Sequence, residues 1–311
     1  MSFEWRCLPA SLWMRLIFLS LISAACALGR SADANDAYAR LVESRWAERA
    51  AQLTKADGWL TLIGLCFLHE GTNTVGHAAD NMIVLAAGPA RIGTVTLSFA
   101  GEATFAPAPA IEVYIDGQPA PAGPIRLRFT GTENKPTLVS AGTVSFFVIE
   151  RGGRKALRVR DSAADRRSHF LGLDHYPIDP SWRIEADWIP FAGPLEIPIT
   201  NVLGNTSNEI TTGKAVFQRD GQTCELWPLV DASDRTLFFI FADATSGGET
   251  YTMRFLDAEP PKNGKVVLDF NLATNPPCAF TPFATCPLPP RQNRLSIAVR
   301  AGEKAYRGAH P

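Results

Sequence analysis

Short apolar or alternating runs dominate the chain after Gly58, and Gly, Pro, Asn and Asp separate them. Alternation puts successive side chains on opposite faces of a strand, and the separating residues are those that turns prefer. The pattern predicts β-strands over residues 82–86, 91–99, 111–115, 125–129, 144–151, 156–160, 183–189, 195–202, 215–219, 224–230, 236–242, 251–256, 266–270 and 295–299. Regular strand spacing with few helical periods predicts an all-β fold of sandwich or barrel-like type.

Residues 34–56 are the exception, because their apolar side chains recur every three or four positions. That period puts them on one face of a helix, with charged residues largely elsewhere. We therefore expect one N-terminal amphipathic helix within residues 28–57 that docks on the strands. A cofactor role for this apolar stripe is improbable.

The predicted strands divide into two packed sub-domains, residues 58–160 and residues 161–304. Charged residues and an Asp-Pro dipeptide interrupt the strand pattern after Asp161, so we place the sub-domain boundary in this stretch. Residues 305–311 are predicted to form a tail.

The N-terminus has the pattern of an export signal. Arg6 and Arg15 precede an apolar run over residues 16–28, which is shorter than the roughly 20 apolar residues that a membrane helix needs. We expect residues 1–27 to be removed by cleavage after Ala27, which would leave a periplasmic or secreted chain. A lipoprotein attached through Cys26 is the less favoured alternative. Beyond the signal, no run approaches the length of a transmembrane segment.

Charge and spacing narrow the function classes. The 30 Lys and Arg against 31 Asp and Glu give a formal net charge of −1, which disfavours nucleic acid as a partner. The histidines lack the i, i+2 or i, i+4 spacing of metal ligands, and no GxSxG or SxxK nucleophile motif is present. We therefore predict neither a metal site nor a cofactor.

The segment 269–295 is organised differently, since it is rich in proline and contains two cysteines. Proline lacks an N–H donor and fixes φ, so this stretch is predicted to be an ordered loop rather than a central strand. The mature cysteines allow three full pairings, and Cys278 and Cys286 are the disulfide candidate because only they are close in sequence. Cys66 lies in an apolar run and is predicted to be a buried thiol.

Arginine side chains suggest a binding surface. Arg158 and Arg160 alternate with apolar residues, so both should point to one face of a strand, and a solvated outer face is the simplest interpretation. Arg151 and Arg183 each lie near a glutamate, and either could clamp a carboxylate or phosphate inside a pocket.

Polar residues of the proline-rich loop extend this hypothesis. Asp269 and Asn271 are alternate residues at a predicted strand exit, so they should share a face. The expected outcome is one concave surface formed by five residues, namely Arg151, Arg183, Asp269, Asn271 and Asn275.

Several segments together resemble one family. They are GWLTLIGLCFLHEGTNTVG (58–76), FFVIERG (146–152), YPIDPSWRIEA (176–186), FADATSGGETY (241–251) and the proline-rich loop. The chain from about residue 39 to residue 304 resembles the family catalogued as domain of unknown function 1684, which implies no established activity. The resemblance implies that certain polar positions belong to the family signature, namely Glu150, Arg151, Arg183, Asp243, Tyr251, Arg254, Asp269, Asn271, Asn275 and Asn293.

Three hypotheses about function follow. The first is an exported protein that binds a small polar or anionic ligand in a pocket near the proline-rich loop. The second is a hydrolase that uses Asp269 or Asp243 as the base, with arginine stabilising developing negative charge. The third is a structural envelope protein without a ligand, in which the loop is a rigid plug.

Overall fold

The computed structural model describes residues 33–129, 135–230 and 236–308. The predicted export signal, with Cys26, lies outside the described residues. The chain clusters into two compact units, residues 1–47 and residues 48–311. Among the described residues, no helix combines the length and the apolar character that a membrane crossing requires.

The fold is mostly β with one N-terminal helix, as the pattern of apolar residues predicts. Helix α1 covers residues 33–53, and the short helix α2 is Asp165–Ser168. The strands before residue 162 are β1 Leu62–Phe67, β2 Gly71–Gly76, β3 Ile83–Val84, β4 Gly93–Leu97, β5 Ala103–Pro107, β6 Tyr114–Ile115, β7 Gln118–Pro119, β8 Ile125–Leu127, β9 Val139–Ala141, β10 Val144–Arg151 and β11 Arg154–Asp161. The later strands are β12 Arg183–Thr200, β13 Thr206–Arg219, β14 Gln222–Leu226, β15 Leu237–Phe241, β16 Arg254–Ala258 and β17 Lys265–Asp269.

Two sheets are built from the first eleven strands. One has the order β1-β11-β10-β9-β6-β7 and the other the order β3-β2-β4-β5-β8. They share a core in which the rings of Phe105 and Phe146 meet edge to face at 5.7 Å. The β10–β11 hairpin turns through Gly152 and Gly153, whose φ angles of 57° and 72° suit the tight turns that match strand twist.

The later strands form a separate pair of sheets, in the orders β14-β13-β12-β17 and β15-β16. Their core is centred on Phe270, whose ring lies 5.5 Å from that of Phe241 and 5.9 Å from that of Trp182. Sheet membership therefore changes between Asp161 and Arg183. The division into sub-domains stays a prediction, because residues 48–311 cluster as one unit.

Two strand predictions were wrong. Residues 183–189 and 195–202 belong largely to one strand, β12, whose register with β13 shifts between Pro190 and Leu195 instead of ending there. Residues 295–299 form no strand, because Val299 N–H donates at 3.2 Å to the side chain of Asp243 rather than to a strand neighbour. The proline-rich loop is ordered by 3-10 turns at Phe270–Leu272, Pro277–Ala279 and Arg291–Asn293.

Candidate functional site

Asp243 and Arg254 form an ion pair inside the protein. Arg254 begins β16 opposite Phe241, and Asp243 follows the end of β15, so the hairpin brings them together. Arg254 Nη2 lies 2.7 Å from Asp243 Oδ2, and neither side chain has exposed surface. Arg254 also donates to the carbonyls of Val299 and Ala301.

The oxygens of Asp243 are fully engaged by the fold. Oδ1 accepts from the backbone N–H and the hydroxyl of Thr245 at 2.8 and 2.6 Å, and from Val299 N–H, while Oδ2 accepts from Arg254. A general base needs an oxygen within reach of a substrate proton, and Asp243 offers none. Its geometry is that of a structural carboxylate, which argues against the hydrolase hypothesis for this residue.

Two asparagines of the proline-rich loop each pair with both backbone polar groups of one residue. Asn293 Oδ1 accepts from Trp227 N–H at 2.7 Å, and its Nδ2 donates to Trp227 O at 2.8 Å and Ile240 O at 2.9 Å. Asn271 makes the same two contacts with Asp179, at 3.0 and 2.9 Å. Both side chains are fully buried. They join the loop to distant segments and leave no surface for a ligand.

Asn275 belongs to a third buried cluster. Its backbone N–H donates to Glu303 at 2.7 Å, its side chain donates to Lys304 O at 2.7 Å, and Arg49 donates to its carbonyl at 2.8 Å. Burial raises the pKa of Glu303. The positive charge of Arg49, whose Nε lies 3.4 Å from Glu303 Oε1, acts in the opposite direction. Asn275 therefore connects the loop to the segment near the C-terminus.

Asp269 and Arg183 meet at the edge of the later sheet. They are register partners in β12 and β17, and Arg183 Nε lies 3.9 Å from Asp269 Oδ2. Asp269 also caps the 3-10 turn after β17, since its Oδ1 accepts from Asn271 N–H at 3.2 Å. The shared-face argument was wrong, because the strand ends at Asp269 and Asn271 already lies in that turn.

Tyr251 and Cys278 line a cavity of about 550 Å³ beside the proline-rich loop. Tyr251 Oη donates to Cys278 O at 3.2 Å, and burial raises the pKa of Tyr251. Cys278 and Cys286 are both buried free thiols, and the N–H of Cys278 donates to Cys286 Sγ at 3.2 Å. The two cysteines are neighbours without a disulfide. Cys66 is only half-buried, unlike the buried thiol that was predicted.

Glu150 and Arg151 line a larger cavity, of about 950 Å³. Arg151 ends β10 at the diglycine hairpin, and its Nε donates to Thr285 Oγ1 at 2.8 Å while its Nη1 donates to Glu150 O at 2.7 Å. Within the part of the chain that the structure describes, no carboxylate lies within ion-pair distance of Arg151. Glu150 itself pairs with Lys155 at 3.2 Å.

The five residues predicted to converge do not share one surface. Arg151 lies at the 950 Å³ cavity. Arg183, Asp269 and Asn271 meet at the β12–β17 edge, and Asn275 lies beside Glu303. The reason is topological, since β10 pairs only with strands before residue 162 and β17 pairs with β12.

Sequence reasoning missed several residues of the larger cavity. Asn205, Glu209, Asp257 and Thr285 all line it. Asn205 precedes β13 in a turn, where Asn is common for backbone reasons alone, so no local signal separates it from an ordinary turn residue. Across the described ranges, no group of three or more His, Cys, Asp or Glu side chains is placed to hold a metal ion.

Comparison with known proteins found one family and similar solved structures. A family described as a protein of unknown function (DUF1684) matches residues 168–304. An uncharacterized protein of Haloarcula marismortui, known from a solution NMR structure, is 35% identical, and the match covers 44% of this chain and 78% of that chain with a TM-score of 0.38. No curated protein matches the chain.

The fold and the buried polar clusters define a mostly β protein whose polar signature residues largely hold its own backbone. The chain belongs to the DUF1684 family. The match includes three of the quoted segments, namely YPIDPSWRIEA, FADATSGGETY and the proline-rich loop. The segments at 58–76 and 146–152 lie before residue 168 and are outside the match.

Proposed function

We propose that this protein binds a small polar ligand in the cavity that Arg151 shares with Thr285 of the proline-rich loop. The observation that carries the proposal is the fixed guanidinium of Arg151, which two hydrogen bonds hold in the cavity wall. A volume of about 950 Å³ lies in the range of small-molecule sites. A guanidinium held in advance loses little side-chain entropy when it binds a ligand.

The wall chemistry favours a ligand that is rich in hydroxyl or amino groups over a purely anionic one. Among the described lining residues, three carboxylates, Glu150, Glu209 and Asp257, accompany the one guanidinium of Arg151. Carboxylates accept hydrogen bonds, whereas Arg151 only donates, so a hydroxyl group can satisfy either kind of partner. Phe238 adds an apolar wall of the kind that binding cavities combine with a few polar groups.

The hydrolase alternative has weaker support. Asp243 has no oxygen left for a substrate, and Asp269 uses Oδ1 to cap a turn. The structural alternative accounts well for Asn271 and Asn293, whose side chains hold the loop. It does not account for Arg151, which lies outside that buried network and lines a cavity.

We also propose that the chain is exported and cleaved after Ala27, which rests on Arg6, Arg15 and the apolar run over residues 16–28. The intact mass of the exported protein tests this directly. A mature chain that begins at Leu28 supports the proposal. A diacylglycerol-modified Cys26 would replace it with the lipoprotein alternative.

A thermal-shift screen of the mature protein tests ligand binding. The library should contain sugars, polyols, amino sugars and hydroxy acids, and a ligand at 100 times its Kd should add about 2.7 kcal/mol of stability. The stabilising compound is then tested on Arg151→Gln and on Arg183→Gln, whose side chain lies outside the cavity. The proposal predicts loss of the shift in Arg151→Gln alone. No hit in the library, or an equal shift in both variants, contradicts it.

A further inference from the structure

A second cavity lies between the end of α1 and strand β11. Its volume is about 310 Å³, and its lining includes Arg49, Gln52, Lys55, Asp57, Trp59 and Arg160. Three cationic side chains, Arg49, Lys55 and Arg160, stand against the carboxylate of Asp57, and Arg49 is also paired with Glu303, so an excess of one positive charge remains among the described residues. Among its described lining residues, the cavity at Arg151 has the opposite balance, with three carboxylates and one guanidinium.

Arg160 is the central charge of this cavity. Its Nε is buried and has no hydrogen-bond partner among the residues that the structure describes. Its guanidinium lies 5.0 Å from the ring centre of Phe147, which covers one side of the group. Burial lowers the pKa of Arg160 because it removes hydration from the cation, and the charge of Asp57 offsets only part of that cost.

Arg158 adds to the same cationic environment. It alternates with Arg160 on β11, it is 7% exposed, and its Nε also lacks a partner within the described residues. Its guanidinium lies 5.4 Å from the ring of Trp59, which lines the cavity. Burial and the neighbouring Arg151 and Arg160 lower the pKa of Arg158 to about 10. The predicted solvated face of these two arginines is therefore a largely covered one.

Arg49 and Lys55 are the other two cations that line this cavity. Arg49 donates to Asn275 O at 2.8 Å and lies 3.4 Å from Glu303, so its position is fixed by the buried cluster beneath it. Gln52 lies one helical turn after Arg49 on α1, and Lys55 follows just after the helix ends and also lines the cavity. The cavity is thus lined by an anchored guanidinium, an amide donor and an exposed ammonium group.

We propose that this cavity binds the phosphate group of a small molecule, with Arg160 as the main charge partner. A phosphate carries about −1.5 to −2 charge at pH 7, so the net positive lining attracts it. Arginine suits such an oxyanion because its planar fork donates two parallel hydrogen bonds. The volume corresponds to about ten waters, enough for a phosphate with a small substituent.

Isothermal titration calorimetry of the mature chain tests the proposal. Inorganic phosphate and glycerol 3-phosphate are titrated separately, at two ionic strengths. Saturable binding of either one supports the site, and the tighter of the two identifies free phosphate or a phosphomonoester as the source. Binding should weaken at higher salt because the attraction is electrostatic. Absence of saturable binding for both compounds overturns the proposal.

Four variants locate the site. Arg160→Gln should weaken binding at least tenfold, and Lys55→Gln, at an exposed position that leaves the core intact, should weaken it several-fold. Arg126→Gln is the matched control. Arg126 is 75% exposed, pairs with Glu102 and lies in β8, whose sheet does not contain β11. Equal affinity in Arg160→Gln, Lys55→Gln and Arg126→Gln overturns the proposal. Arg151→Gln should bind phosphate normally, which separates this site from the cavity at Arg151.

Discussion

Arg254 and Asp243 meet at 2.7 Å with both side chains fully buried, so the pair joins β16 to the segment after β15 where water does not reach. Removing two charges from water is costly, and the protein offsets that cost with hydrogen bonds from Thr245 and to Val299 and Ala301. Asp243 and Arg254, which the sequence resemblance assigns to the family signature, therefore have a structural role.

Removal of either partner should destabilise the protein strongly. Arg254→Ala and Asp243→Ala each leave an uncompensated buried charge, so we expect each to lower the free energy of unfolding by about 3 to 5 kcal/mol. Urea unfolding at pH 7 measures the loss. Arg126→Ala, at the exposed pair with Glu102, is the control and should cost at most about 1 kcal/mol. Equal effects at the buried and exposed pairs would contradict the prediction.

Asn293→Leu should also be destabilising, by at least about 3 kcal/mol. The substitution leaves three groups, the N–H and C=O of Trp227 and the C=O of Ile240, without their bond to Asn293, and each unsatisfied buried group costs about 1 to 3 kcal/mol. Urea unfolding again measures the change. Asn208→Leu, at an exposed asparagine bonded to Glu196, is the matched control and should change stability little. A similar loss of stability in both variants would show that the buried hydrogen bonds of Asn293 contribute no more than an exposed one.

Much of the fold is predictable from the apolar pattern, and the exceptions have local causes. The bounds of β10 agree with the prediction because an apolar run ends at two glycines. The split prediction for β12 arose because Pro190 and Gly193 resemble strand breakers, whereas a register irregularity absorbs them. Residues 295–299 alternate like a strand, but the sequence does not show that Asp243 takes the N–H of Val299.

The candidate site was less predictable, because sequence shows residue type but not burial. Asn271 and Asn293 look like ligand-binding amides, yet each hydrogen-bonds both the N–H and the C=O of one residue. Arg158 looks solvated by alternation, yet aromatic rings and the loop cover it. The structure, and not the sequence, distinguishes these buried residues from Arg151, which lines a cavity.

Acid should destabilise the protein through His175. Burial lowers the pKa of His175 to about 4, below the usual value of about 6.5. The unfolded chain therefore binds a proton more readily, so stability is fully present above pH 6.5 and declines as the pH falls toward 4. Urea midpoints at pH 7 and pH 5 should differ less in His175→Gln than in the wild type. His169→Gln, at an exposed position, is the control and should keep the wild-type difference.

Oxidation should join Cys278 and Cys286. A disulfide oxidant such as oxidised glutathione takes up two electrons and two protons from the thiols, which become one disulfide while the oxidant becomes two thiols. The short loop predicts a gain of roughly 2 to 3 kcal/mol in stability. Intact mass should fall by two hydrogens, and peptide mapping should locate the bond. Cys224→Ser should behave like the wild type, whereas a lasting mixed disulfide with glutathione would contradict the expected bridge.

The diglycine turn after Arg151 has a consequence for how the larger cavity can change. A Cβ atom at Gly152 would lie 2.7 Å from Asn205 Oδ1, and both residues line the cavity. One glycine therefore permits both the reversal of the chain and the close approach of Asn205 to the hairpin. Substitutions at Gly152 would displace Asn205 in the cavity wall, so ligand choice and hairpin geometry are inherited together.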